Sequence, residues 1–148
     1  MINDELHFLL LKAHNVSTRQ IMAQTTQLGL TPGQPKVLEY LLEHDGACAR
    51  AICQEFAIDK STMASILPRM EKAGLVRREA SETDRRSSLI WLTDKGRELA
   101  LDAKRAILSV DEELAQGVSS EDLAACERVL ASIVANAGDP SADNRPSK

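Results

Sequence analysis

Residues 60–74 restrict the fold more than any other stretch of the chain. Met63, Ile66, Leu67 and Met70 recur at i, i+3, i+4 and i+7, the spacing of a single helical stripe. Ser61, Ser65, Arg69 and Lys72 line the opposite side, with Thr62 beside them. Gly74 then offers a left-handed stop from which Leu75 can fold back towards Met70. Two β-compatible runs follow at once, residues 75–79 and 87–92, around the polar segment 80–86. Ahead of them, residues 48–56 suit a short helix, and Phe56-Ala57-Ile58 a sharp turn. Helix, turn, helix and hairpin in this order spell a winged helix-turn-helix. A second helix with short polar side chains near its start and cations further on suits the major groove of duplex DNA. Arg85 and Arg86 at the hairpin tip have the reach and charge for phosphates or a minor groove.

These residues carry a specific resemblance. Asp59-Lys60-Ser61-Thr62, the run Arg69-Met70-Glu71-Lys72-Ala73-Gly74-Leu75-Val76-Arg77-Arg78, Asp84-Arg85-Arg86-Ser87 and Leu92-Thr93-Asp94-Lys95-Gly96 stand in the order and spacing of the MarR family of bacterial transcriptional regulators. With its flanking helices the resemblance extends to about residue 137. It implies a homodimer that binds palindromic double-stranded DNA, acts as a repressor, and is released by a small aromatic or phenolic effector or by thiol oxidation. Carried onto this chain, it places Ser61, Thr62 and Ser65 at base edges and Arg50, Lys60, Arg69 and Arg78 on phosphates. Arg85 and Arg86 fall at the minor groove or its flanking backbone, and Asp84 orients the wing through a charge-assisted hydrogen bond.

The expected architecture is mainly α with a small β-hairpin wing. Residues 30–97 form the DNA-binding lobe, and 1–29 with 98–137 a helical dimerisation region. The tail 138–148, rich in Gly, Asp, Pro, Ser and Asn, is read as disordered. Leu6, Leu9, Leu10, Ala13 and Val16, thickened by Phe8 and Leu11, make a first-helix stripe wider than one lobe needs. Thr31-Pro32-Gly33-Gln34 reads as the start of the next helix, with Thr31 as cap, Pro32 in the first position and Gln34 completing a capping box. Leu99, Ala103, Ile107, Val110 and Leu114 repeat near a coiled-coil period after a Thr93 cap. Leu123, Cys126, Leu130 and Ile133 form a last stripe, which makes Cys126 a core residue. Pro68 removes the hydrogen bond to the Ala64 carbonyl and predicts a kink. A left-handed backbone at Ala57, where relatives often carry glycine, costs about 1 kcal/mol.

A formal net charge of −4 argues against a DNA partner until its distribution is considered. Residues 50–97 hold ten Lys/Arg against seven Asp/Glu, a local +3 that leaves −7 elsewhere. Nucleic acid responds to that local field. The four aromatic residues provide no stacking platform, which excludes the common single-strand and RNA modes. No apolar run approaches a membrane span of about 20 residues, and the acidic start is unlike a signal peptide, so the expected location is cytoplasmic.

Other chemistry is weakly encoded. No phosphate loop, nucleophile motif or metal-ligand cluster appears, so neither enzyme activity nor a cofactor is expected. His7 and His14 lie seven apart on one helical face without a matched ligand set, and the reading is surface or interface histidines rather than a metal site. Trp91 and Leu89 share the second face of the wing's return strand. Trp91 is read first as packing and second, with His14, as part of an effector cleft. Three cysteines in such a chain do not suggest a disulfide. Peroxide-sensing relatives carry their reactive cysteine in the first helix, where this chain has none. Cys48 at a helix start is the remaining redox candidate. A winged helix serving protein–protein contact, with DNA binding lost, is the competing reading, motivated by Pro68 and the overall acidity.

Overall fold

A computed structural model describes residues 2–83 and 88–138. Helix α1 (Leu6–Thr25) is followed by α2 (Gln34–Glu43), the short strand β1 (Ala47–Cys48), α3 (Ala49–Phe56) and α4 (Lys60–Lys72). Strands β2 (Val76–Ala80) and β3 (Ser88–Leu92) come next, then α5 (Asp94–Leu114) and α6 (Ser120–Ala137). Single turns of 3₁₀ helix flank α1 at Ile2–Asp4 and Thr26–Leu28. Among the described residues the sheet has order β1-β3-β2. β2 and β3 form the expected antiparallel hairpin, with Val76 opposite Leu92 and Ala80 opposite Ser88. β1 was not foreseen. Residue 48 reads from the sequence only as a helix start, yet Ala47 and Cys48 pair with Ile90 and Leu89. Two residues are too few for an alternating pattern to register.

The helical stripe of α4 is buried as the periodicity requires, with Met70 at 0% and Met63 and Leu67 at 2% exposure. These side chains share a core with Val37, Leu38 and Leu41 of α2, Ile52 of α3, Ile90 and Leu92 of β3, and Ala100 and Ala103 of α5. At its end α4 closes as a Schellman motif. Gly74 takes φ 73°, Leu75 N–H donates to the Met70 carbonyl at 2.9 Å, and Gly74 N–H to that of Glu71 at 3.0 Å. The helix runs as one element through Pro68 to Lys72. Pro68 and Ala64 both lie on its exposed side, where water can serve the carbonyl that proline leaves without a donor.

The start of α2 differs from expectation. The helix begins at Gln34, with Gly33 as a left-handed N-cap (φ 88°) and Pro35 within the first turn. Thr31 supplies no side-chain cap. Only the reciprocal half of the box forms, the Gln34 side-chain oxygen accepting from Thr31 N–H at 3.1 Å. Two prolines separated by Gly33 permit more than one start, and burial of Gln34 selects the later one. Cys126 is also corrected. It is exposed, as are Leu123 and Leu130, because no helix of the same chain covers α6. The sequence stripe is present, but nothing within the described residues buries it. Leu6, Leu9 and Leu11 of α1 are similarly uncovered.

Ala57 is the only described non-glycine residue with positive φ, at 51°. It closes α3 and turns the chain into α4, its N–H donating to the Gln54 carbonyl at 3.3 Å. Ala57→Gly is therefore expected to raise unfolding stability by about 0.5–1 kcal/mol, after allowing for the freer unfolded chain. Urea denaturation measures it, and a lowered midpoint would contradict the strained turn.

Candidate nucleic-acid interface

Asp59 organises the start of α4. It lies in extended backbone as the N-cap, and its Oδ1 accepts from the Thr62 amide and from the Ser61 hydroxyl, both at 2.7 Å. These bonds, the Thr62 amide first and then the Ser61 hydroxyl, hold the Asp59 carboxyl below its usual range. A depressed carboxylate stabilises the fold above its unfolded pKa, and the stabilisation is lost as pH falls through the lower folded value. Acid titration followed by NMR is expected to show Asp59 protonating below an unperturbed aspartate, with amides 61 and 62 shifting in step. Asp59→Asn should abolish that coupled shift. The Ser61 hydroxyl is thus directed at Asp59 and keeps its lone pairs as acceptors.

Lys60, Ser61, Thr62, Ser65 and Arg69 are all exposed on the outer side of α4. Arg50 on α3, Lys60 on α4 and Arg78 on β2 line one cleft of about 250 Å³. Its floor is Cys53, Met63 and Leu67. Three cations from three elements, far apart in sequence, thus converge beside the N-terminal half of α4. Among the described residues no ion pair holds Arg50, Lys60 or Arg69. Arg78 is paired with Glu71 of α4, which anchors the base of the wing to the helix. Asp84, Arg85 and Arg86 lie outside the described residues.

The two effector candidates separate. His14 lines a cavity of about 270 Å³ between α1, α2 and α5, together with Ile21, Met22, Lys36, Glu39 and Ile107. Glu39 also binds Lys104 of α5, and that hydrogen bond raises the lysine pKa. Trp91 is not among the residues lining this cavity. It packs against the turn before β1, where a Cβ on Gly46 would fall 2.6 Å from the indole. Arg77 stacks over its ring with the guanidinium carbon 5.5 Å from the centroid. Of the thiols, Cys53 is buried and burial pushes its pKa up, which favours the unreactive protonated form. Cys48 stands half-buried at the N-cap of α3 and makes no side-chain cap hydrogen bond.

Several residues that shape the interface escaped the sequence reading. Asp45 Oδ1 accepts from the Leu92 amide at 2.8 Å, and its Oδ2 accepts from Arg97 at 2.5 Å, closing one side of the sheet. Lys95 Nζ donates to the Ala73 carbonyl at 2.9 Å, at the end of α4. Asp59 had a legible signal, an aspartate ahead of an amphipathic helix. Asp45 had none, since its partners lie 47 and 52 residues away.

A helix-turn-helix followed by a two-stranded wing, with cations grouped at the second helix, defines a winged-helix DNA-binding protein. The MarR family profile matches residues 28–87. An organic hydroperoxide resistance transcriptional regulator of Bacillus subtilis is 31% identical over 136 residues, covering 90% of this chain and 89% of the relative. The transcriptional regulator HosA of Escherichia coli O157:H7 is 36% identical over 93 residues, covering 63% and 69%. The transcriptional repressor CouR, a Rhodococcus jostii RHA1 protein solved on a 23-mer DNA duplex, superposes with a TM-score of 0.80. It shares 27% identity over 89% of this chain and 94% of its own. The chain belongs to the MarR family of transcriptional regulators.

Proposed function

We propose that two copies of this chain bind a palindromic DNA duplex and repress transcription from it. The convergence of Arg50, Lys60 and Arg78 on one cleft beside the exposed side of α4 carries this reading. In it, Thr62, Ser65 and the acceptor face of Ser61 meet base edges in the major groove. Arg50, Lys60, Arg69 and Arg78 hold phosphates, and Arg85 and Arg86, oriented by Asp84, work the flanking minor groove. CouR, described as a repressor on a 23-mer duplex, supports the same mode for this chain. The uncovered leucines of α1, with Leu123, Leu130 and Val134 of α6, support the homodimer, since a monomer seldom leaves so much apolar surface to water. Residues 30–97 then act as the DNA-binding lobe, and 1–29 with 98–137 as the dimerisation region.

The cavity beside His14 favours release by a small molecule. Its apolar walls suit an aromatic body, and His14 and Lys36 at its lining suit a phenolate or carboxylate. A thiol switch is the weaker reading. The related regulator from Bacillus subtilis is named for hydroperoxide resistance, but α1 here contains no cysteine, which leaves half-buried Cys48 as the candidate.

Fluorescence anisotropy of the labelled DNA upstream of the protein's own gene, titrated at two salt concentrations, tests the DNA reading. Binding is expected to be salt-sensitive and tighter than to a scrambled duplex. Equal, weak binding to both would favour a winged helix that engages other proteins.

A further inference from the structure

The first turn of α5 is fastened to the end of α4 by residues that point away from the reading surface. Thr93 Oγ1 donates towards the Gly74 carbonyl at 2.5 Å and lies 3.2 Å from that of Leu75, and Thr93 N–H donates to the Leu75 carbonyl at 3.1 Å. The same hydroxyl accepts from Gly96 N–H at 2.9 Å, so one side chain caps α5 and holds the turn that ends α4. Lys95 reaches across to the Ala73 carbonyl, placing a cation at the negative C-terminal end of α4. Four residues into α5, Arg97 grips Asp45, which in turn holds the Leu92 amide of β3. From there α5 runs on past α2 and α1, carrying Lys104 to Glu39 and Ile107 to the cavity wall.

We propose that Lys95, acting with Thr93 and Arg97, is a positioning latch that sets the direction of α4 relative to α5, and through it the separation of the two reading helices in a dimer. The inference rests on the dimeric DNA reading above. Its physical content is the joint itself. A carbonyl terminus held by a short hydroxyl alone can swivel, whereas a second donor from the next turn of α5 removes that freedom. In a two-headed protein the freedom matters only when both heads must engage at once. A loosened joint then costs ordering on the full site, whereas one head on one half-site loses nothing. Half-site separation is thereby read by a residue that contacts no base.

Lys95→Met keeps the stem and removes the ammonium, and because Lys95 is exposed the variant retains the fold. Full-length wild-type protein first selects a duplex from a random pool. Affinities of wild type, Lys95→Met, Lys95→Arg and Arg97→Met are then measured on three duplexes. These are the selected one, versions with the centre lengthened or shortened by one base pair, and a single half-site. Lys95→Met is expected to bind the selected duplex about fivefold more weakly, the worth of one net hydrogen bond. It should bind the half-site as wild type does and discriminate less between spacings. Lys95→Arg should restore the discrimination, and Arg97→Met should lose it. An equal loss on the half-site and the full site, with a flatter salt slope, would make Lys95 a plain phosphate contact and overturn the latch. So would a spacing profile identical to wild type. Failure of wild type to select any duplex would instead overturn the DNA reading on which the latch depends.

Discussion

Gly96→Ala is expected to be the most damaging single substitution in the chain. A Cβ at this position would lie 1.8 Å from the Leu75 carbonyl oxygen and 2.8 Å from its carbon. Neither partner can yield cheaply. Leu75 is 3% exposed, and its carbonyl is held by the Thr93 amide, while Gly96 N–H is bound to Thr93 Oγ1. Overpacking against fixed backbone costs about 3 kcal/mol or more, a large part of the 5–15 kcal/mol that typically separates folded from unfolded chains. Urea denaturation should show the midpoint fall sharply, or no folded protein at all. Gly74→Ala offers the contrast. No atom lies within 4 Å of its added Cβ, but φ is 73°, so the cost is conformational and about 1 kcal/mol. If Gly96→Ala proved as mild as Gly74→Ala, the close approach of α5 to Leu75 would be wrong.

Removing the three cleft cations together, Arg50→Ala, Lys60→Ala and Arg78→Ala, is expected to produce the largest loss of DNA binding. Each phosphate contact contributes about 0.9 to the slope of log affinity against log salt, so three lower it by about 2.7. Between 50 and 200 mM salt the wild type should therefore lose about fortyfold more affinity than the variant. Selectivity among duplex sequences should persist, because phosphate contacts position the protein without reading bases. All three residues are exposed, so the melting temperature should change little. Anisotropy across a salt series measures the slope. An unchanged slope would remove the cleft from the contact surface. Ser65→Ala alone should act oppositely, altering sequence preference with the salt slope intact.

The parts of the reading that succeeded rest on local periodicity. Four apolar positions at helical spacing orient α4 whatever lies beneath, and Met63, Ile66, Leu67 and Met70 are all buried. The hairpin was equally legible, because two β-compatible runs around a polar tip have one natural pairing. The left-handed turn at Ala57 was foreseen from where relatives place glycine, and the backbone takes it. Where several local solutions compete, sequence reasoning chose wrongly. Thr31 and Gly33 both precede a proline at a helix start, and only the burial of Gln34 decides between them. Cys126 sits on an apolar stripe, but a stripe records the need for a partner and not its source.

The amino-acid order alone determined the helix-turn-helix, the wing, and which side of α4 faces outward, since each follows from spacing within about fifteen residues. Tertiary structure alone decided the rest. It made β1 a strand, because two residues become a strand only by pairing with β3. It gathered Arg50, Lys60 and Arg78 from three elements into one cleft, joined Asp45 to Arg97, and set Gly96 against Leu75. The physical reason is distance along the chain. Such contacts link residues about twenty to fifty apart, and no local propensity encodes which of many exposed charges or small residues will meet once the core has closed.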